Sequence, residues 1–553
     1  MKKPSFKSYD DFLKRWHIDV PEHFNFAFDV VDQIALEDPQ RRALVHVDDM
    51  DQRTEYDFAF FSRESARLAK GLASKGLKKG DRVMLILYRR VEFWTTVLAL
   101  HKLGAVAIPS PAMLTVKDIE YRLNAADVRG VIADHSVTGL VEEAREAFPS
   151  CRIVVELGGD PTRRGWLRYE DVCAAGDAVT TPLERVAGGN DPLFIFFSSG
   201  TTGSPKMVMH DHTYAAAHTI TAACWQDLRP GDLHMTIADT GWAKAAWGKL
   251  YGQWMAGATV FVYDFRGRFN AIRLLKVLSE HRVTTFCAPP TVYRLMITHH
   301  DLHKFDLSSL RHCTSAGELL NHDIFDAWKK ATGISIYEGY GQTETTLQIA
   351  TFPFMKIRPG SIGRPCPGWD VVLLDENDQP VPPKQEAEIC IRLNGKRLLG
   401  LFNGYLADDK LSARVTRDGF YRTGDKAWMD EDGYFWFLGR TDDLIKSSGY
   451  RIGPFEVESA LVTHPAVAEA AVTGVPDAVR GQLVKATLVL KPGFEPSEKL
   501  IHELQDHVKS ITASYKYPRV IEFVEELPKT ISGKIRRAEI RNRDHARHAD
   551  PSA

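Results

Sequence analysis

The middle of the chain repeats one pattern: a short apolar run, a polar or glycine turn, then a stretch with helical period. Val83–Tyr88 (VMLILY) reads as a buried strand and Val91–Leu103 (VEFWTTVLALHKL) as the helix after it, and GAVAIPSP from Gly104 begins the next strand. Further strands are expected at Val128–Ala133, Arg152–Leu157, Leu193–Phe197, Ala258–Tyr263 and Val283–Ala288, with helices such as Ala271–His281 and Ile324–Ala331 between some of them. Such alternation confines the chain to α/β layers with largely parallel sheets. After about residue 360 the texture turns to short alternating strands (WDVVLLDENDQPV, EAEICIRL), with Asn377 and Asp378 at a tight turn. A compact α+β unit starts near Arg440, with a helix over Pro454–Thr463 and a strand over Val484–Leu490. The expected organisation is a large α/β domain with a β-rich part (1–439), a small α+β domain (440–545) and a frayed tail (546–553).

Composition limits the function classes. Lys plus Arg is 70 and Asp plus Glu is 72 in 553 residues, a net charge of -2, so the basic excess of a protein that coats nucleic acid or anionic membrane is missing. No run of 18 apolar residues occurs, so no membrane span is expected. Seven cysteines without a C-x-x-C pair fit neither a disulfide framework nor a common zinc site. The start, MKKPSFKSYDDFLKRW, lacks an apolar core for a secretory signal, and Asp10 and Asp11 oppose an organelle transit peptide. A soluble protein of a reducing compartment, the cytoplasm, is the expectation, with the oligomeric state open, a homo-oligomer included.

Four short segments carry chemistry. Ser198-Ser199-Gly200-Thr201-Thr202-Gly203-Ser204-Pro205-Lys206 follows the apolar run LFIFF. Its glycines allow a tight loop, its hydroxyls and amides donate, and Lys206 adds a cation, which together suit a polyphosphate. It is not a P-loop, since no G-K-[ST] closes it. A flexible linker has the same composition, but linkers rarely follow a buried strand. In Glu338-Gly339-Tyr340-Gly341-Gln342-Thr343-Glu344, Tyr340 offers a face for a base and Glu344 a hard oxygen for Mg²⁺. Tyr421-Arg422-Thr423-Gly424-Asp425 places one carboxylate where both hydroxyls of a ribose could donate to it. Pro528-Lys529-Thr530-Ile531-Ser532-Gly533-Lys534 sets a lysine on a glycine turn. Each segment alone also reads as an ordinary turn or a solvated face.

Together, in this order and over nearly the whole chain, these segments resemble the adenylate-forming superfamily of acyl-CoA synthetases, adenylation domains and luciferases. The stretch GRTDDLIKSSGYRIGPFEVE (Gly439–Glu458) is similar to that family's hinge region. HFNFAFDVVD, ADTGWAKAAWGKLYGQW and FCAPPTVYRLM look most like medium-chain acyl-CoA synthetases related to acetyl-CoA synthetase. The resemblance implies ATP, Mg²⁺ and CoA, and an acyl-AMP intermediate. It also implies the roles. Ser198 to Lys206 would hold the β- and γ-phosphates. Gly317, Glu318 and Glu338 to Thr343 would line the nucleotide, Glu344 would ligate Mg²⁺, and Asp425 and Arg440 would fix the ribose. Lys534, with Thr343 and Glu344, would be catalytic, and the small domain would turn about Asp442. Ser448, Gly449, Tyr450, Arg480, Lys509 and Tyr517 would face CoA. Trp242, Lys244, Cys287, Gly341 and Arg451 would form the acyl pocket, and glycine at 341, where acetate-sized relatives carry tryptophan, implies a medium-chain, branched or aryl acid. A stand-alone enzyme loading a carrier protein and a silent nucleotide-binding protein are the alternatives.

Overall fold

The structure, a computed structural model, describes residues 5–159, 163–198, 205–267, 269–441, 443–447, 450–477, 480–529 and 535–549, with the side chains of Arg451, His545, His548 and Ala549 left aside. The described residues divide into two compact units, one within 5–370 with 393–419 and the other 371–392 with those of 420–549.

The first unit holds two large sheets. One has seven strands, in the order Leu167–Arg168, Ile153–Leu157, Gly130–Asp134, Arg82–Ile86, Val106–Pro109, Pro192–Ser198 and Lys206–Asp211. Its pairs are parallel until the last, where Pro192–Ser198 and Lys206–Asp211 run antiparallel with Ser198 opposite Lys206. The other has nine strands, parallel from Arg42–Val47 through Thr259–Tyr263, Leu233–Thr236, Thr285–Cys287 and His312–Ala316 to Ile336–Tyr340, with antiparallel strands at both edges. Parallel strands need both faces covered. On the nine-stranded sheet the helices Ala271–Glu280, Pro290–Ile297 and His322–Thr332 supply Leu275, Tyr293, Met296 and Trp328 to a core with Phe261 and Phe286. The helix Val91–Leu103 ends as its residues require: His101 and Lys102 in the last turn, then Gly104 in the left-handed region at φ 67°.

The second unit pairs an antiparallel meander (Val371–Leu374, Ala387–Arg392, Phe420–Met429, Phe435–Arg440) with a five-stranded sheet. In that sheet the long strands Val467–Asp477 and Gly481–Leu490 pack against the helices Pro454–Val462 and Glu498–Ile511. Its last helix, Arg537–Ala549, continues past the point where a frayed tail was expected. Polar staples explain this: Asp544 accepts from Lys485 Nζ at 2.6 Å, and Arg543 and Arg547 meet Glu522 at 3.0 and 3.1 Å. All seven cysteines are buried. Among the described residues no helix is long and apolar enough to cross a membrane.

Candidate active site

The phosphate-loop segment is strung between the two antiparallel strands Pro192–Ser198 and Lys206–Asp211. Phe194 to Phe197 are buried, so the strand before the loop is fixed by the core. Ser199 to Ser204 lie outside the described residues. The loop's far end is anchored: Pro205 accepts a hydrogen bond from Tyr121 Oη at 3.0 Å, and Lys206 Nζ lies 5.5 Å from the centroid of the Tyr405 ring.

The second segment stands at the end of a parallel strand. Ile336–Tyr340 runs beside His312–Ala316, with Glu338 opposite Ser315 and Gly339 opposite Ala316, so the turn after it shares a sheet end with Gly317 and Glu318. Gly317 has φ 96°, a conformation only glycine adopts cheaply. The turn is closed by Thr345 N donating to the Gln342 carbonyl and Gln342 N to Thr345 Oγ1. Glu338, expected beside the nucleotide, is buried, and its carboxyl accepts from the Leu320 amide at 3.0 Å. Burial pushes its pKa up to about 8, against the single amide that lowers it. Gly339 is needed for space, since an added Cβ would lie 2.7 Å from the Trp225 ring.

Glu344 is half-buried, and its Oε1 accepts from Tyr405 Oη at 2.8 Å. Its Oε2 has no hydrogen-bond partner among the described residues, and a hard carboxylate oxygen of this kind suits Mg²⁺. Thr343 O receives a bond from His210 Nε2 at 2.7 Å; a carbonyl only accepts, so the proton sits on Nε2. Burial holds His210 neutral, with a pKa down to about 4. The sequence places His210 close behind the phosphate loop as a packing or supporting group rather than a catalyst, but gives Tyr405 no part in the site, because its relation to Glu344 arises from pairing across a long sequence separation.

Of the acyl-pocket residues, Trp242 precedes the short helix Ala243–Lys249, which carries Lys244 and Trp247. Lys244 Nζ donates to the Ala316 carbonyl at 2.6 Å, beside Gly317, and burial lowers its pKa while Cys287 and Glu318 raise it. Cys287 is buried at its strand end. Gly341 does not face empty space. A Cβ there would lie 2.5 Å from the Thr346 carbonyl and 2.8 Å from Trp247 Cζ2, so the indole occupies the room a side chain would take. At the end of the same helix, Lys249 donates to the Ala238 carbonyl at 2.7 Å, and burial takes its pKa down to about 7.

In the second unit, Asp425 and Arg440 sit directly opposite on neighbouring strands. Arg440 Nη1 reaches Asp425 Oδ1 at 3.3 Å and the Thr423 carbonyl at 3.1 Å, and the buried Asp425 is fixed by its amide on Thr423 Oγ1 at 3.1 Å. Among the expected CoA residues, Lys509 stands 4.4 Å from the Tyr517 ring centroid, and Arg519, absent from the sequence reading, stands 4.5 Å from the same ring. Tyr450 is exposed and stacks on Tyr515 at 4.2 Å. Arg480, further along the unit, donates its amide to Asp477. Asp442, Ser448, Gly449 and Lys534, and the side chain of Arg451, fall outside the described residues.

Comparison with known proteins accounts for this arrangement. Residues 31–406 match the AMP-binding enzyme family and residues 456–534 the AMP-binding enzyme C-terminal domain. Over 549 residues the chain is 41% identical to the acyl-coenzyme A synthetase ACSM3, mitochondrial, of Mus musculus, covering 98% of this chain and 94% of that one. It is 41% identical to the acyl-coenzyme A synthetase ACSM5, mitochondrial, of Homo sapiens, covering 95% and 91%. The anthranilate CoA ligase AuaEII, solved in complex with anthranoyl-AMP, superposes with a TM-score of 0.87 at 32% identity, over 96% of this chain and 99% of the other. An acyl-CoA synthetase of Brucella canis is also 32% identical, with a TM-score of 0.75 over 98% and 100%. These relatives overturn the cytoplasmic expectation, because the curated enzymes at 41% identity are mitochondrial. The chain belongs to the AMP-binding enzyme family, on its acyl-CoA synthetase branch.

Proposed function

We propose that this acyl-CoA synthetase activates a medium-chain, branched or aryl carboxylic acid larger than acetate, with the residues above dividing the work. A carboxylate is a poor electrophile, and the enzyme removes that obstacle with ATP. A carboxylate oxygen attacks the α-phosphorus, the bond to the β-phosphate breaks, and pyrophosphate leaves with its electron pair. The CoA thiolate then attacks the acyl carbon of the acyl-AMP, and AMP departs with the oxygen. Negative charge builds in both steps, and fixed cations and amides stabilise it best where water is excluded.

In this reading Ser198 to Lys206 hold the β- and γ-phosphates, and Gly317, Glu318 and Tyr340 to Thr343 line the nucleotide. Asp425, oriented by Arg440, accepts from the ribose hydroxyls. Magnesium, held by Glu344, neutralises phosphate charge when bound. Lys534 places one ammonium between the acid's carboxylate and the α-phosphate, a task for a point charge rather than a planar fork. Ser448, Gly449, Tyr450, Arg480, Lys509 and Tyr517 receive CoA, and the small domain, from near Arg440, turns at Asp442. Room at Gly341 does not carry the size reading, because the indole of Trp247 fills the space a side chain would take; its support is the likeness to ligases of larger acids. The anthranilate CoA ligase and a benzoate CoA ligase from Burkholderia xenovorans LB400 (28% identical, TM-score 0.81, over 94% of this chain and 100% of the other) favour an aryl acid within that range.

The test is acid-dependent AMP formation across straight, branched and aromatic acids, each with and without CoA as the only thiol. Highest kcat/KM with acetate refutes the size reading, and AMP release indifferent to CoA refutes transfer to CoA. Lys534→Ala should abolish pyrophosphate release yet largely spare thioester formation from supplied acyl-AMP. Equal loss of both half-reactions contradicts the role given to Lys534.

A further inference from the structure

The segment 400–406 ties the phosphate-loop strand to the Thr343–Glu344 turn. On one side Asn403 N donates to the Met209 carbonyl at 2.7 Å, Leu406 N to the Met207 carbonyl at 2.9 Å, and Met209 N to the Gly404 carbonyl at 3.2 Å. On the other, Phe402 N donates to the Glu344 carbonyl at 2.8 Å and Thr346 N to the Gly400 carbonyl at 3.0 Å. Tyr405 stands in the middle of this strap. Its ring is 5% exposed, its amide is held by Ser412 Oγ at 2.8 Å, its hydroxyl donates to Glu344 Oε1 at 2.8 Å, and Lys206 Nζ lies 5.5 Å from its centroid.

We propose that Tyr405 is a positioning residue for the adenylation half-reaction, holding the Glu344 carboxylate and the Lys206 ammonium in register for a metal–triphosphate. The proposal rests on the roles given above to Glu344 and Lys206. A glutamate on a turn has three rotatable bonds, and each must be fixed before its second oxygen can meet a cation. The phenol fixes them by donating to one oxygen, which leaves the other for a cation. The face of the same ring attracts the lysine ammonium without neutralising it, leaving its charge for phosphate. In this reading Tyr405 touches neither substrate nor reacting atoms, and acts through Glu344 and Lys206.

The test uses the full-length enzyme with Mn²⁺ and a non-hydrolysable ATP analogue, following bound Mn²⁺ by paramagnetic resonance alongside steady-state kinetics. Tyr405→Phe keeps the ring and loses the donor. Mn²⁺ affinity in the analogue complex should fall about tenfold, the loss of one hydrogen bond to a charged group. The KM for the acid and thioester formation from supplied acyl-AMP should be unchanged. Tyr405→Leu removes the ring as well, so binding of the analogue with the metal chelated should also weaken, by about two- to fivefold as expected for the weaker cation–π contacts. Glu344→Gln separates the two levels of the argument. If it leaves Mn²⁺ affinity intact, the assignment of Glu344 fails; if it lowers that affinity and Tyr405→Phe does not, the assignment stands and the role of Tyr405 is refuted. A variant that melts earlier with Mn²⁺ affinity unaltered also refutes it. Should the variants fold poorly, 3-fluorotyrosine placed at 405 carries the test: its fluorine resonance should shift on adding the Mg²⁺ complex of the analogue, and no shift overturns the proposal.

Discussion

Gly341→Ala tests the reading of the acyl pocket most directly. The new methyl would lie 2.5 Å from the Thr346 carbonyl and 2.8 Å from Trp247 Cζ2, with Cη2 closer still, and distances under 3 Å require something to move. The carbonyl is backbone, in a turn bonded through Thr346 N to Gly400, so it does not yield cheaply. The indole must move instead, against His218, whose ring centroid lies 5.9 Å away, or the turn must open. Overpacking of this kind costs about 1–3 kcal/mol. Because Trp247 shares its helix with Lys244, the displacement should fall on acid binding, raising the KM for the acid by about tenfold at 1.4 kcal/mol while the KM for ATP changes less. Gly139→Ala is the control. It lies in the helix Thr138–Arg145, its Cβ would meet only the flexible tip of Arg163 at 3.3 Å, and the better helix former gains up to about 1 kcal/mol. Urea denaturation of both variants and KM values for one aryl and one alkyl acid decide the matter. Equal stability of the two variants with unchanged acid KM would refute the argument that Trp247 fills the space at 341.

Two pH predictions follow from buried groups. Glu338 has a pKa raised from 4.5 to about 8 by burial, so the folded state holds its proton more tightly than the unfolded. Stability from this group is fully present below about pH 4.5 and is lost as pH rises towards 8, at up to about 1.4 kcal/mol per pH unit; Glu338→Gln should remove that slope, and urea midpoints at pH 5 and 8 check it. His210, His218 and His234 are the opposite case, lowered to about 4, 3 and 3 by burial. Their neutral forms stabilise the fold above pH 6.5, and this is lost as pH falls towards 3 to 4, so acid unfolding monitored by tryptophan fluorescence should be steep there and shallower in His218→Asn.

What the sequence discloses here is local. The expected helix Val91–Leu103 matches the structure residue for residue, since an apolar periodic run bounded by a polar turn and Gly104 leaves little choice. The expected strands recur within a few residues, as Ile153–Leu157 and Thr259–Tyr263 illustrate. The pairing of Asp425 with Arg440 was foreseeable only through resemblance, because register across the meander is a tertiary property. Which way Glu338 points was not readable: its strand is covered on both faces, so alternation carries no sign of inside and outside. Tyr405 was equally silent. It meets Glu344 from 61 residues away, and a tyrosine after a glycine in a loop says nothing until the strap's hydrogen bonds are known.

The last helix shows the same limit from the energetic side. Arg537–Ala549 is so polar that no apolar stripe announces a docked element, yet Ile540 and Asp544 are both buried. Ile540 packs with Ala471 and Leu527, while Asp544 meets the buried Lys485, which also reaches Glu522 at 2.7 Å. Removing one member of a buried pair leaves an uncompensated charge and costs about 3–5 kcal/mol, whereas replacing both by apolar groups of similar volume is often neutral. Asp544→Ala should therefore destabilise the second unit by an amount of that order, softened by the remaining Glu522 contact, and Lys485→Met combined with Asp544→Leu should recover most of it. Hydrogen exchange on 537–549 and on the strand Gly481–Leu490 reads this out. If Asp544→Ala leaves both segments as protected as before, Ile540 and the remaining arginine contacts to Glu522 and Glu458 hold the helix and the Lys485–Asp544 pair is ornamental; if the double variant is worse than the single, the charges specify the docking geometry as well as its strength.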